Sequence, residues 1–403
     1  MHILYVNPNL MKRRSALGIW GRHVLEGMRA GGAEVSSFPA APDTGPSDGP
    51  DDGGVGWHRA FLYKHASRDW VARLFEYFLV ARGIARTVRA SLSIWRQRHQ
   101  LDVDVVLGRA QEYDLTPQVA ARILRRPLVL EVHSPNFLER QMRGRPPWRL
   151  IQVIERWQWR QCTRIWVNSS ALKTILGDQG YPADRIRVIH FGVDLDRFPP
   201  RTARGVGNPM RIVFTGSFYP WHGTDVLLRA FASAQKRIGG LHLTLIGDGT
   251  GRPASEDLAR SLGIADVVDF TGWLAYDRVI EHLARADIGV APYTRLDPFY
   301  FDPVKIQEYM ACGLAVVSSD QGSIAEMLGH GESGLLVPPG DEDALAAALV
   351  RLAEDRALFE HLGGAARRRA ETAYNWPEII PKVLALCAEA AAGHRDGRAQ
   401  TRG

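Results

Sequence analysis

Short apolar runs alternate with longer amphipathic stretches along nearly all of this 403-residue chain, and that rhythm restricts the fold more than any other feature. In the first half the runs are "HILYVN", "VDVVLG", "LVLEVH", "RIWVNS" and "IRVIHFG". In the second they are "RIVFTG", "LHLTLIG", "VVDFTG", "IGVAPY", "LAVVSS" and "GLLVPP". Runs that are apolar at consecutive positions suit strands covered on both faces, and the longer stretches between them suit crossover helices. The pattern therefore predicts parallel sheets in an α/β architecture.

Between "VIHFGVDLDRF" and "MRIVFTG" lies "PPRTARGVGNP", rich in Pro, Gly and Arg and without periodicity, which predicts a linker over residues 199–209. A weak internal repeat divides the chain at the same place. "MHILYVNPN…GIWGRHVLEGMRAGGAEV" and "MRIVFTGSFYPWHGTDVLLRAFASAQKRIGG" each run from Met through an apolar strand and a glycine-containing turn into an amphipathic helix. The expected organisation is a Rossmann-like N-terminal domain over 1–198 and a second Rossmann-like domain over 210–375. The last segment, 376–403, is expected to return as a helix to the N-terminal domain before a flexible tail. Two doubly wound domains facing one another would share a central cleft at the carboxyl ends of their strands, where such sheets bind ligands. Residues 38–56, "FPAAPDTGPSDGPDDGGVG", read as a flexible acidic loop.

Composition narrows the classes. Cys162, Cys312 and Cys387 match neither a disulfide framework nor a zinc site and point to a reducing compartment. The opening "MHILYV" has no basic lead, and no run of ~18 apolar residues occurs, so the chain reads as a soluble, cytoplasmic protein. Residues 1–200 carry 29 Lys and Arg against 19 Asp and Glu, whereas residues 201–403 carry 21 against 25. A basic first half suits an anionic acceptor or peripheral contact with the inner face of a membrane. No zinc-finger, helix-turn-helix or RNP pattern accompanies it, so nucleic acid is not expected as a partner.

Three signals gather in the second half. In "FTGSFYPWHGTDVLL" a strand runs through a glycine turn into a helix near Thr224 or Asp225, a place where backbone donors can hold a phosphate. In "LIGDGTG" another strand ends in glycines at Gly247, yet Arg252 and Pro253 spoil a dinucleotide fingerprint. "DPVKIQEYMACG" sets Glu308 in an apolar helix expected to begin with a capping Asp302 and Pro303 and to stop at Gly313. A carboxylate can accept from two vicinal hydroxyls, so Glu308 suits a ribose, while the helix start suits the attached phosphates. On spacing alone, Lys305 and Glu308 equally fit an exposed i, i+3 ion pair, and that reading stays open.

Residues 165–340 resemble the retaining glycosyltransferases of family 4, which have the GT-B fold. The resemblance runs through "VNSSALKTIL…GYPADRIRVIHFGVDLDRF", "FTGSFYPWHGTDVLLRAF", "LIGDG", "VDFTGWLAYDRVIEHLARADIGVAPY", "PVKIQEYMACGLAVVSSDQGSIAEML" and "GESGLLVPPGD", in the family's order. The first half is similar more loosely, through "GIWGRHVLEGMRAGGAEV" and "RPLVLEVHSPN". The resemblance implies that Glu308 holds the donor's ribose as the second of two glutamates with seven residues between them. The first falls on Tyr300 and is absent, which leaves Asp302 or Asp297 to reach the donor sugar. Relatives also place an arginine after the first-turn glycine and a lysine before the helix glycine. This chain has Ser217 after Gly216 and His222 before Gly223. Lys305 is then expected to supply the cation at the diphosphate, helped by His222 if protonated. Trp273 and Leu274 would frame the nucleobase, and Glu326 matches a recurrent glutamate at the donor rim.

In the first half, His133 ends the strand "PLVLEV" where the family often has a histidine beside the reacting carbon; a satisfied structural histidine is the other reading. Gly18, in "SALGIWG", is expected in a loop closing over the phosphates. Arg109, Glu139 and Arg140 are candidate acceptor contacts. Arg149, Arg156, Arg160 and Arg164 are expected to form one helical stripe beside Leu150, Ile151, Ile154 and Trp157, either resting on a bilayer or exposed on a helix packed against its sheet.

The expected function is transfer of a sugar, a hexose or a relative of one, from a UDP- or GDP-linked donor to an unknown acceptor: a glycolipid, a polysaccharide intermediate or a small natural product. The resemblance implies retention of configuration with no bound catalytic metal, and the nucleotide sugar is a substrate rather than a cofactor. Glu308 would anchor the donor, Lys305 stabilise the leaving group and His133 orient the sugar or acceptor. A non-catalytic GT-B scaffold subunit and a nucleotide-sugar epimerase of the same fold are the alternatives.

Overall fold

The apolar runs fold into two six-stranded sheets in which every pair of neighbours is parallel. The computed structural model describes residues 1–11, 16–39, 69–111, 113–142, 149–201 and 209–400. They form two units. The first takes the described residues up to Asn168, Leu172–Ile189 and those from Ile380 onward; the second takes Ser169–Ala171 and His190–Ile379. The second unit thus starts about twenty residues before Met210, ahead of the linker expected at 199–209, of which residues 202–208 lie outside the described residues. From residue 40 on, the acidic loop read over 38–56 also lies outside them.

The first sheet contains β1 (His2–Val6), β2 (Glu34–Phe38), β3 (Val105–Arg109), β4 (Leu128–Val132), β5 (Arg164–Val167) and β6 (Ile186–Val188), in the order β2-β1-β3-β4-β5-β6. The second contains β7 (Met210–Thr215), β8 (Leu241–Ile246), β9 (Val268–Gly272), β10 (Ile288–Ala291), β11 (Ala315–Ser319) and β12 (Leu335–Val337), in the order β12-β11-β10-β7-β8-β9. Strands β3, β4, β10 and β11 are buried at every position, as continuous apolar runs between two helical layers require. Strand β2, "EVSSF", was not among the expected runs. It lies at the sheet edge with only Val35 buried, and its two serines erase the apolar signal.

In each sheet the chain reverses its direction of travel between two neighbours, β1 and β3 in the first, β7 and β10 in the second. The crevice outside the carboxyl ends of such a pair is where doubly wound sheets take ligands.

Six helices frame these crevices or close the units: α1 (Ala16–Ala30), α2 (Asp69–Gln97), α3 (Arg149–Arg160), α4 (Thr224–Ile238), α5 (Val304–Ala311) and α6 (Trp376–Gln400). Several expectations are corrected by them. Gly18 belongs to the first turn of α1 rather than to a loop. Arg164 opens β5, so the arginine stripe ends with α3 at Arg160. On α3 the expected apolar arc divides, with Ile151 buried, Ile154 half-buried and Trp157 exposed. Helix α6 begins in the second unit, continues in the first and stays helical to Gln400, where a flexible tail was expected.

Glycine sets one close approach in the second core. A methyl group on Gly289 of β10 would stand 2.5 Å from the Tyr309 ring. The bare backbone lets α5 lie against the sheet, so that the Tyr309 hydroxyl accepts from the Thr215 amide at 2.8 Å.

Candidate functional site

The β7–β10 crevice of the second unit gathers most of the expected donor residues. Strand β7 ends at Thr215, and Gly216 follows with φ of 149°. The chain then passes through the short turn Pro220–His222 into α4, whose first turn follows Gly223 and has no side-chain cap. A Cβ on Gly223 would lie 1.8 Å from the Pro292 carbonyl, and one on Gly247 would lie 2.0 Å from the Gly216 carbonyl. The glycines at these strand ends therefore let three backbone segments close on one another at the mouth of the sheet.

Lys305, on α5, reaches into this mouth. A Cβ on Gly216 would stand 2.5 Å from its Nζ. That nitrogen is buried and has no hydrogen-bond partner among the described residues. It rests 4.4 Å from the centre of the Phe214 ring and 5.2 Å from that of Tyr293, contacts that compensate only part of the lost hydration. Burial pulls its pKa down to about 7, against the opposing influence of Glu308.

Glu308, one turn along, is 7% exposed, so the exposed ion-pair reading fails. Its Oε1 accepts from the Tyr276 hydroxyl at 2.7 Å. Burial pushes its pKa up to about 7, while the Tyr276 hydrogen bond and Lys305 act to lower it. Tyr276 was missed in the sequence, since nothing local to "LAYDRV" marks it as a partner for a carboxylate 32 residues away.

His222 does not supply the second cation. Its Nδ1 hydrogen-bonds the Ser217 carbonyl. Burial, and then Lys305, pull its pKa down to about 3, outweighing the effect of that hydrogen bond. The ring is neutral at physiological pH and serves to fix the turn. Trp273, following β9, is 67% exposed, so it is no core residue; Leu274 beside it is half-buried against the second unit's core.

Asp302 is placed elsewhere. Its carboxylate meets His190 Nδ1 at 3.2 Å, the Phe191 amide at 3.1 Å and the Gln307 side chain at 3.3 Å. These contacts pin the segment before α5 and leave Asp302 neither capping the helix nor free for a sugar. Pro303 is the N-cap. Glu326 lies near the same cluster, accepting from Ser170 Oγ at 3.2 Å and standing 3.9 Å from His190 Nε2. Tyr300, where the resemblance places a missing glutamate, is fully buried.

In the first unit, His133 follows β4 and is held from both sides. Its Nδ1 lies 2.9 Å from Arg109 Nη2, and its Nε2 lies 2.6 Å from Glu131 Oε1, which also stands 3.2 Å from Arg109 Nη1. The two Glu131 contacts have ion-pair distances but not hydrogen-bond direction. Trp20 meets the imidazole edge-on at 4.7 Å. The ring is thus braced by Arg109 at Nδ1 and stands at ion-pair distance from Glu131 at Nε2. Glu139 accepts from Ser134 Oγ at 2.9 Å and Arg140 donates to the Tyr113 hydroxyl at 2.8 Å, so both have structural work.

Two Rossmann-like units, one with a carboxylate and a desolvated lysine at its sheet reversal, define a two-domain α/β protein of the GT-B class. Whole-chain likeness agrees with that fold. The Anabaena HepE structure in complex with UDP and glucose has a TM-score of 0.68 at 20% identity, covering 96% of this chain and 100% of that one. Sucrose-phosphate synthase from Thermosynechococcus elongatus has a TM-score of 0.67 at 20% identity, covering 98% and 100%. The model for glycosyltransferase family 4 matches residues 22–197, and that for glycosyl transferases group 1 matches residues 209–355. The chain belongs to glycosyltransferase family 4. It is 30% identical to the MMP alpha-(1->4)-mannosyltransferase of Mycolicibacterium hassiacum over 278 residues, 66% of each chain. It is likewise 30% identical to the amylovoran biosynthesis glycosyltransferase AmsK of Erwinia amylovora over 198 residues, 49% of each. The matches thus span between about half and two thirds of these relatives' length.

Proposed function

We propose that this chain transfers a sugar from a nucleoside diphosphate donor to an acceptor, with retention of anomeric configuration and without a bound metal ion. Lys305 carries the reading: a buried amine with no hydrogen-bond partner among the described residues, pressed beneath a glycine turn at a sheet reversal, is a site waiting for an anion. In glycosyl transfer the bond between sugar and diphosphate breaks, and negative charge builds on the departing phosphate. Fixed positive charge there lowers the barrier more than any other single contribution. Lys305 and the uncapped amides at the start of α4 would provide it. Glu308, with one oxygen engaged by Tyr276, keeps its other oxygen for the vicinal hydroxyls of the ribose. The outward indole of Trp273 would cover the base.

The UDP and glucose held by HepE, and the GDP-mannose in the name of a Mycobacterium tuberculosis mannosyltransferase 30% identical over 213 residues, support a hexose donor linked to either nucleotide. Acceptor choice would belong to the first unit, with a glycolipid, a polysaccharide intermediate or a small natural product as candidates. Among the described residues no helix is long and apolar enough to cross a membrane. The free, buried Cys162, Cys312 and Cys387 support action in a reducing compartment, the cytoplasm.

Isothermal titration with UDP and GDP tests the donor site. Micromolar to millimolar binding of one of them, weakened at least tenfold in Glu308→Ala, is expected, about 1.4 kcal/mol. Equal affinity in the variant would refute the ribose role. Mass spectrometry of products then separates transferred sugar from an altered free sugar.

A further inference from the structure

The first unit has its own opening beside its sheet reversal. A cavity of about 680 Å³ lies outside the carboxyl ends of β1 and β2, walled by Val6, Phe38 and Pro39 on the sheet side and by Arg82, Arg86 and Arg89 of α2 on the other. Its wall is mixed: apolar at the strands, and along the helix three arginines set among Phe78, Ala81, Ala85 and Ala90.

The charges on that wall differ in their state. Arg86 is paired with Asp114 at 3.3 Å and also donates to Gln111 at 3.2 Å. The Asp114 carboxylate accepts from the Thr116 amide as well, so this acidic group on the wall is fully occupied. Arg82 and Arg89 make no ion pair or hydrogen bond among the described residues. They belong to a line of three, Arg82, Arg89 and Arg96, at seven-residue steps, and residues 77–100 hold five arginines and not one carboxylate. Seven residues are close to two helical turns, so the line runs down one side of α2.

Beside that line α2 presents apolar side chains to solvent. Ile84, Val88, Leu92 and Trp95, at steps of four, four and three, are 57%, 51%, 51% and 52% exposed. A helix of a water-bathed domain usually turns such a stripe inward. Here the inward positions are Ala90 and Ile94, and the stripe is additional. An anion-seeking cavity and an exposed apolar stripe on one helix call for a ligand with a negative head and a hydrocarbon body.

We propose that the acceptor is a membrane lipid bearing a phosphate. Its phosphate lies between Arg82 and Arg89 at the cavity mouth, and its chain leaves along Ile84, Val88 and Leu92 toward a bilayer on which this face of α2 rests. The inference deepens the transferase reading, since it names the class of molecule that the transferred sugar would join. It needs no new chemistry: an acceptor hydroxyl forms the glycosidic bond as the diphosphate leaves, and the hydroxyl proton passes to solvent or to the departing phosphate.

The test uses the full chain and three probes: dodecyl phosphate, inorganic phosphate, and vesicles of phosphatidylglycerol compared with phosphatidylcholine. Nucleotide binding is measured in parallel by titration with UDP and GDP. The expected result is binding to phosphatidylglycerol vesicles and to dodecyl phosphate, each weakened at least tenfold in Arg82→Gln/Arg89→Gln and restored in Arg82→Lys/Arg89→Lys. Val88→Ser/Leu92→Ser should weaken dodecyl phosphate and vesicle binding while leaving inorganic phosphate unchanged. None of these changes should move UDP or GDP affinity, so failure here is distinct from failure of the donor site. Equal binding of vesicles by wild type and the double glutamine variant overturns the proposal. So does an affinity for inorganic phosphate equal to that for dodecyl phosphate, which would leave the apolar stripe without a part.

Discussion

The ionisable pair on α5 would make the proposed donor site sensitive to pH in two directions. Lys305, with its pKa lowered to about 7, holds its proton more tightly once an anion is present. Affinity for a nucleoside diphosphate should therefore be highest below that value and decline as pH rises through it. Glu308, raised to about 7, must be ionised to accept two hydroxyls, so affinity should also decline below it. Calorimetry across the neutral range is expected to show a narrow maximum. Lys305→Met should abolish the alkaline decline and move the acid decline upward, because the cation that favours ionised Glu308 is gone. Tyr276→Phe removes a hydrogen bond that holds the same pKa down. It should weaken nucleotide binding by about 1 kcal/mol, roughly fivefold, with the acid limb displaced upward. Glu308 and Lys305 stood out in the sequence through the resemblance, since helix spacing alone left an exposed ion pair open; their burial is what the structure adds. The neutrality of His222 was not legible, since it follows from burial that no local pattern reports. Asp302 misled for a similar reason: a carboxylate before a proline reads as a cap, yet its partners His190 and Phe191 come from more than 110 residues away.

Among elements, helix α5 shows how a site is carried by packing. It can approach β10 only because Gly289 has no side chain, and the approach brings the Tyr309 hydroxyl to the Thr215 amide next to Gly216. Gly289→Ala should destabilise the second unit by about 1–3 kcal/mol through overpacking, read as a lower denaturant midpoint. Tyr309→Phe, which keeps the ring, should cost about 1 kcal/mol. The eleven apolar runs in the sequence all became strands, and the four buried at every position, β3, β4, β10 and β11, left the most continuous record. Strand β2 escaped notice because an edge strand with two serines needs no such record. The stripe assigned to α3 failed at Arg164 for the converse reason: helical spacing continued arithmetically past the residue where the chain had already turned into β5.

For the molecule as a whole, the uneven charge of the sequence has a structural counterpart in the arginine line of α2, while the anion-directed lysine of the second unit sits in a mildly acidic half. Division of the chain into two doubly wound units was legible from the repeat. Its boundary was not, because residues 190–201 look like a continuation of the first half yet belong to the second unit. Helix α6 takes the chain back. A methyl on Gly27 or Gly31 of α1 would collide with Ile380 or Leu384, and Glu389 pairs with Arg187 at 3.2 Å. Val383, Leu386, Cys387 and Ala390 are buried. A protein ending at Ile379 should accordingly be recovered with an intact second unit and an early-melting, protease-sensitive remainder. During synthesis the first unit's earlier segments emerge well before residues 380–400 that complete it, so that part must wait, incomplete, while the second unit matures.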